Sequence, residues 1–201
     1  EHQVPNAAIV VVRGDEIYAL RGYGEADVSQ GDLVDPATTV FRAASVSKPV
    51  TATAVMTLVE RGLIALDDDV NQYLSDFQVA EFEGTAVTFA HLLTHSSGLD
   101  DKVYYPTAVE DLTGYLSFQE AFASSPPVRY AESGQQTRYS NQGYVLLGYL
   151  VEQISGMSFA EYVQTFVFDP LQMTHSTFEQ SLSSQLQAQL AKRYSYDEEL
   201  G

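Results

Sequence analysis

Cysteine is absent from all 201 residues, which excludes disulfides, thiolate metal sites and a cysteine nucleophile. A cysteine-free chain suits an exported protein that folds without oxidants, so a periplasmic or secreted location is expected, with the cytoplasm left open. Basic residues are scarce: 10 against 27 acidic ones, a formal net charge of −17. Such a surface repels phosphate backbones and anionic lipid, so neither nucleic acid nor a membrane surface is an expected partner. Long apolar runs are missing as well. None approaches the ~18 residues needed to cross a bilayer, and no transmembrane segment is expected. The opening Glu1-His-Gln-Val-Pro-Asn6 does not resemble a signal peptide and would suit an already processed start. Metal-ligand spacing is lacking too. His2, His91 and His175 have no partners at ligand intervals and read as structural histidines. The run Asp67-Asp-Asp69 lacks the glycine turn and distal glutamate of a calcium loop and reads as a solvated turn. No cofactor is implied. What the chain does have is a globular balance of 45% hydrophobic and 18% charged residues, enough for a substantial core.

Two strands are predicted in residues 7–24, joined as a hairpin at Gly14-Asp15. A turn-rich connection follows through Gly31 and Pro36. From about Val46 a helix is predicted to Arg61, with apolar residues at Val50, Ala54, Val55, Leu58 and Val59. Pro49 fits only its first turn, and Gly62 stands where a C-terminal cap belongs. Residues 66–88 read as loop and short helix, and a helix near Phe89–Leu93 leads into Thr94-His-Ser-Ser-Gly98. Residues 101–135 are polar, punctuated by Pro126-Pro127 and Ser133-Gly134. Gln142 to Ser155 is an amphipathic helix stopped by Gly156. Ser158-Phe-Ala-Glu161 is a capping box opening the next helix, which ends before Pro170. The Gln/Ser-rich stretch 179–190 reads as a surface helix.

The chemistry concentrates in Phe41-Arg-Ala-Ala-Ser-Val-Ser-Lys-Pro49. Ser45 and Lys48 stand at i and i+3, so on a helix hydroxyl and amine share a face. A serine hydroxyl becomes a nucleophile when a neighbouring base takes its proton, and a desolvated lysine can do so. The helix mouth adds amides and a dipole that favour developing negative charge. The bland alternative is a helix cap beside a surface lysine. A second segment, Tyr139-Ser-Asn141, follows in the chain. Tyr139 could be a core tyrosine and Asn141 an ordinary N-cap of the helix it precedes.

These segments, with their flanks, resemble the serine β-lactamase and penicillin-binding-protein-like superfamily, in particular its class C β-lactamase, esterase and D-peptidase branch. The resemblance is carried by Phe41 to Lys48, by Leu58-Val-Glu-Arg-Gly-Leu-Ile-Ala-Leu-Asp-Asp-Asp-Val70, by His91-Leu-Leu-Thr-His-Ser-Ser-Gly-Leu99 and by Tyr139-Ser-Asn-Gln-Gly-Tyr144. Pro170-Leu-Gln-Met173 is similar to the family's Pro-Leu-Gly-Met, with Gln172 in place of glycine. The resemblance implies that Ser45 attacks an amide or ester carbonyl to form an acyl-enzyme, with Lys48 lowering the barrier to loss of its proton. It implies that Tyr139 is a phenolate base or proton relay, and that Asn141 bonds the substrate's acyl-side amide or Lys48. The His95 segment would fix a loop under the site.

The resemblance also implies an α/β fold: an antiparallel sheet flanked by helices, with a largely helical subdomain. The family's third motif, Lys/His-x-Gly on a strand that supplies an oxyanion-hole amide, does not occur in residues 1–201. A single incomplete serine-hydrolase domain is therefore expected. Its parts would be 1–44 for the N-terminal strands, 45–178 for the helical region with both motifs, and 179–201 for the return towards missing C-terminal strands. A fragment, or one chain of a nicked or split protein, fits this layout, with a second chain supplying those strands. The expected activity is that of an esterase or D-peptidase; a β-lactamase, a D,D-carboxypeptidase, a non-catalytic ligand-binding module and a half-chain completed by a partner are the alternatives. The substrate would be a small molecule or short peptide.

Overall fold

A computed structural model describes residues 4–101 and 116–194, and has a mixed α/β architecture. Two compact units are present, one formed by Glu1–Ala44 with Ser181–Gly201, the other by Ser45–Gln180.

In the first unit, β1 (Asn6–Arg13), β2 (Glu16–Asp27) and the two-residue β3 (Asp32–Leu33) form an antiparallel sheet in the order β1-β2-β3. Arg13 faces Glu16 across the two-residue Gly14-Asp15 loop. Gly14 has φ 62°, as the first central position of a II′ hairpin turn requires. β3 leaves no signal in the sequence, because two residues carry no periodicity. The register shifts between Val11 and Val12, a bulge that adds twist to the ribbon. A short helix, Ser184–Gln189, capped by Ser183, returns the chain to the sheet. Lys192 N–H then donates to Ala26 O at 2.8 Å, and the Lys192 ammonium lies 2.8 Å from Asp27. That lysine, with Ser29, holds the Asp27 carboxyl down at about 2. The run Ile9-Val-Val-Val12 reads like a strand buried on both faces, yet all four side chains are exposed, Val10 at 56%.

The second unit is helical. The main helices are α1 (Ser47–Glu60), α2 (Phe89–Leu93), α3 (Phe118–Ser124), α4 (Asn141–Ser155) and α5 (Phe159–Val163), the last running on as a π-turn to Phe168. α1 ends in a Schellman motif: Gly62 (φ 68°) donates to Val59 O and Leu63 to Leu58 O, the cap expected of Gly62. The polar stretch 101–135 carries no predicted helix, yet α3 lies in it and opens on a full capping box of Ser117 and Glu120. Residues 102–115 of that stretch lie outside the described residues. At α5 only half of the predicted capping box forms. Ser158 accepts from Glu161 N–H, while the return bond from Ser158 N–H to the Glu161 side chain is not made; separately, Phe159 N–H donates to Glu152 of α4. The Asp67–Asp69 run is also more than a solvated turn: Asp68 accepts from Ala65 N–H and Tyr73 O–H, and Asp69 caps Val70–Tyr73.

The core joins Ala54, Val55 and Leu58 of α1 to Leu146, Leu147, Leu150 and Val151 of α4, with Phe89, Leu92, Tyr162 and Val163 around them. Their i, i+3, i+4 spacing puts one stripe of each helix inside. Leu150 is fully buried, so Leu150→Ala is expected to destabilise the unit by about 3 kcal/mol, the usual cost of a large-to-small core change. A shift of the urea midpoint at unchanged slope measures it.

Candidate active site

All four candidate residues meet in the second unit. Ser45 lies in a 3-10 turn, Ala44–Val46, immediately before α1. Ala44 adopts φ 45°, a left-handed conformation that costs a residue with a Cβ of order 1 kcal/mol and recurs where a catalytic side chain must be aimed. Lys48, in the first turn of α1, donates to Ser45 Oγ at 3.2 Å and to Asn141 Oδ1 at 2.8 Å. Tyr139 O–H donates to the same Ser45 Oγ at 2.8 Å. The Lys48 ammonium also stands 4.6 Å from the centroid of the Tyr139 ring and 5.7 Å from that of Tyr144. Hydrogen bonding with Lys48, then with Ser45, draws the Tyr139 hydroxyl below its ordinary value of 10.0. Ser45 and Tyr139 are exposed, and Lys48 and Asn141 are half-buried.

Asn141 is not the N-cap of α4. That task belongs to Ser140, whose Oγ accepts from Gly143 N–H at 3.0 Å, leaving the Asn141 amide free to face Lys48. Beneath this segment lies His95, itself at φ 58°. Its carbonyl accepts from Arg138 N–H at 2.8 Å and its Nδ1 from Ser140 N–H at 3.1 Å. Its ring centroid lies 4.5 Å from that of Tyr139 and 5.0 Å from that of Tyr144. Two more residues belong to the site: Tyr144, which ends the motif that starts at Tyr139 and whose ring flanks Lys48, and Asp101, which carries no local signal in the sequence and bonds Asn141 from 40 residues away.

His95 and His91 both accept backbone N–H bonds through Nδ1, His91 from Thr88. A bond accepted at Nδ1 requires the neutral ring with its proton on Nε2. Burial, then Lys48 for His95 and Arg129 for His91, lowers both below 6.5. The sign follows: above 6.5 both rings are neutral folded and unfolded, and below it the unfolded chain takes up protons first. Stability should therefore decline as pH falls through 6.5 towards the lower folded-state values. Urea midpoints from pH 8 to 5.5, beside a His91→Gln, His95→Gln variant, test this; equal slopes would refute it.

Among the described residues, no group of three or more His, Cys, Asp or Glu is placed to hold a metal ion, and no helix is long and apolar enough to cross a membrane.

Known proteins share this arrangement of elements. Penicillin-binding protein 4* of Bacillus subtilis is 30% identical over 201 residues, 98% of this chain and 43% of its own length. An octameric penicillin-binding protein homologue from Pyrococcus abyssi superimposes with a TM-score of 0.83 at 30% identity, over 98% of this chain and 45% of its own. EstCE1, described as a hydrolase with promiscuous acyltransferase activity, gives a TM-score of 0.72 at 26% identity, over 85% and 47% of the two chains. The chain thus spans less than half the length of these proteins. The Beta-lactamase family model matches residues 1–197, and the chain belongs to that family.

Proposed function

We propose that the chain carries the nucleophile half of a serine hydrolase that acts on ester or amide bonds through an acyl-enzyme at Ser45. The observation that carries this reading is the convergence of two groups on Ser45 Oγ, Lys48 Nζ at 3.2 Å and Tyr139 Oη at 2.8 Å. A capped helix does not need this pair of partners, whereas an activated alcohol does. Lys48, expected from the sequence to act as an amine base, fits better as a cation that stabilises a Tyr139 phenolate. Tyr139 then takes the Ser45 proton as Oγ attacks the carbonyl carbon, and the carbonyl π electrons move to oxygen. On collapse, the leaving alkoxide or amine receives that proton from Tyr139. Water subsequently cleaves the acyl ester and regenerates Ser45.

For substrate, esters and D-amino-acid peptides suit the family flanks better than a dedicated β-lactamase role. Similarity to an acyl-transferring hydrolase and to a penicillin-binding protein supports that class. The exposed apolar sheet and the share of the relatives covered support a second statement. The rest of the family fold covers the apolar side chains of β1 and β2, and it also holds the oxyanion-hole strand that the chemistry at Ser45 needs. One missing oxyanion donor costs about 3 kcal/mol of barrier, so residues 1–201 alone should react far more slowly than the full chain.

Incubation of the full chain with a fluorophosphonate and with a labelled penicillin, followed by peptide mapping, tests the reading. A stoichiometric adduct on the peptide holding Ser45 supports it, and the probe that reacts narrows the substrate class. An adduct elsewhere, or none in folded protein, overturns the hydrolase reading and leaves a ligand-binding module.

A further inference from the structure

Asp101 lies directly after Leu99 and Asp100, at the end of the segment that follows α2, and its carboxylate reaches the start of α4. Oδ1 accepts from both the Asn141 and the Gln142 backbone N–H groups, the second at 3.2 Å, and Oδ2 accepts from Asn141 Nδ2 at 3.1 Å. The helix thus has two caps. Ser140 satisfies Gly143, and Asp101 satisfies the two amides before it, where a negative charge also complements the helix dipole. The third bond has a different consequence. A carboxylate can only accept and a lysine ammonium can only donate. With Asp101 on one side of the Asn141 amide and Lys48 on the other, the amide has one satisfied orientation, Nδ2 to Asp101 and Oδ1 to Lys48. Reversing it would set NH₂ against ammonium and oxygen against carboxylate.

We propose that Asp101 is a positioning residue of the site, acting through Asn141 to hold the Lys48 ammonium between Ser45 and Tyr139. This rests on the reading of Ser45 as nucleophile. Asp101 acts in two ways, one geometric and one electrostatic. Geometrically, an Asn141 amide that swings away releases the 2.8 Å hydrogen bond that Lys48 donates to it. Displacements of about 1 Å at a reacting group cost on the order of 100-fold in rate. Electrostatically, the carboxylate opposes Lys48 at Tyr139 and raises the phenol there, and it raises His95 likewise. Among the described residues, the groups that face Tyr139 are Lys48, Ser45, His95 and Asp101, and its charge in turn is felt by Tyr144.

The test is Asp101→Asn in the full chain. This variant keeps an acceptor for the backbone amides but turns an NH₂ group towards Asn141. Its acylation rate, counted per titratable serine, should fall about 30-fold, and the acidic limb of its pH–rate profile should move to higher pH, because the hydrogen bond from Lys48, the first cause holding the Tyr139 hydroxyl down, outweighs the opposing charge of Asp101 and is weakened when Asn141 swings away. Asp101→Glu, which keeps the charge, should leave that limb in place. A merely structural Asp101 would lower the melting temperature and the number of active molecules without moving rate per site or pH profile. That outcome would overturn the proposal. A second readout holds whether or not the protein turns over: the side-chain ¹⁵N–¹H signals of Asn141 should shift in Asp101→Asn and not in the remote Glu179→Gln. Unshifted signals overturn the positioning role. An inert wild type whose Asn141 signals do shift overturns the hydrolase reading instead, and with it only the catalytic consequence of the clamp.

Discussion

Ser45→Ala should abolish covalent labelling and lower ester hydrolysis on the order of 10⁵-fold, while leaving the fold in place. The size of the loss follows from the geometry. Lys48 and Tyr139 both aim at Oγ, so once the oxygen is gone the remaining groups have nothing to activate. Residues that act as one unit lose nearly everything with the first deletion. The fold should be indifferent, because Ser45 is exposed, sits outside α1 and caps nothing. Its removal should change stability, read from the urea midpoint, by no more than about 0.5 kcal/mol. Initial rates on a p-nitrophenyl ester and intact mass after fluorophosphonate treatment give the answer together. Residual hydrolysis within about 100-fold of wild type in a pure sample would mean that the nucleophile lies elsewhere.

Lys48→Met should cost about 10³-fold in kcat/KM and should displace the pH profile upward. Methionine keeps the length of the stem and removes only the ammonium, which bonds Ser45 and Asn141 and lies against the Tyr139 ring. A preorganised charge at a reacting centre is worth 10² to 10³ by itself, and here one cation serves two oxygens. The upward displacement has a definite sign. Lys48 is the first cause holding the Tyr139 hydroxyl below 10.0. Without it the phenolate forms at higher pH, and a rate that needs the phenolate rises later. Measured from pH 6 to 10.5, the acidic limb should approach the ordinary tyrosine value. If it stays where it is in the wild type, Tyr139 is not the group that takes the proton.

Some of the site could be read from short stretches of chain. Ser45 and Lys48 are three residues apart, and a helix start puts such a pair on one face whatever the rest of the fold does. The Schellman end at Gly62 and the stripes of α1 and α4 are local in the same sense, since periodicity and cap chemistry act within a few residues. Other local signals are obscured by their surroundings. The Ser117–Glu120 box announces α3 by residue type alone, and the surrounding polar stretch masked it.

The amino-acid sequence by itself determined the helical frame, the hairpin at Gly14-Asp15 and the candidacy of Ser45, Lys48, Tyr139 and Asn141. Hydrophobic period, turn residues and recurring motifs are properties of neighbours in the chain. Tertiary structure alone decided that Tyr139 reaches Ser45 across 94 residues, that Ser140 rather than Asn141 caps α4, and that His95 underlies the tyrosine. It also decided between Asp100 and Asp101, adjacent residues of the same type, of which only the second bonds Asn141 in the structure. Hydrogen bonds across tens of residues depend on how helices pack. Packing is set by the shape of the whole core, which no short window of sequence contains.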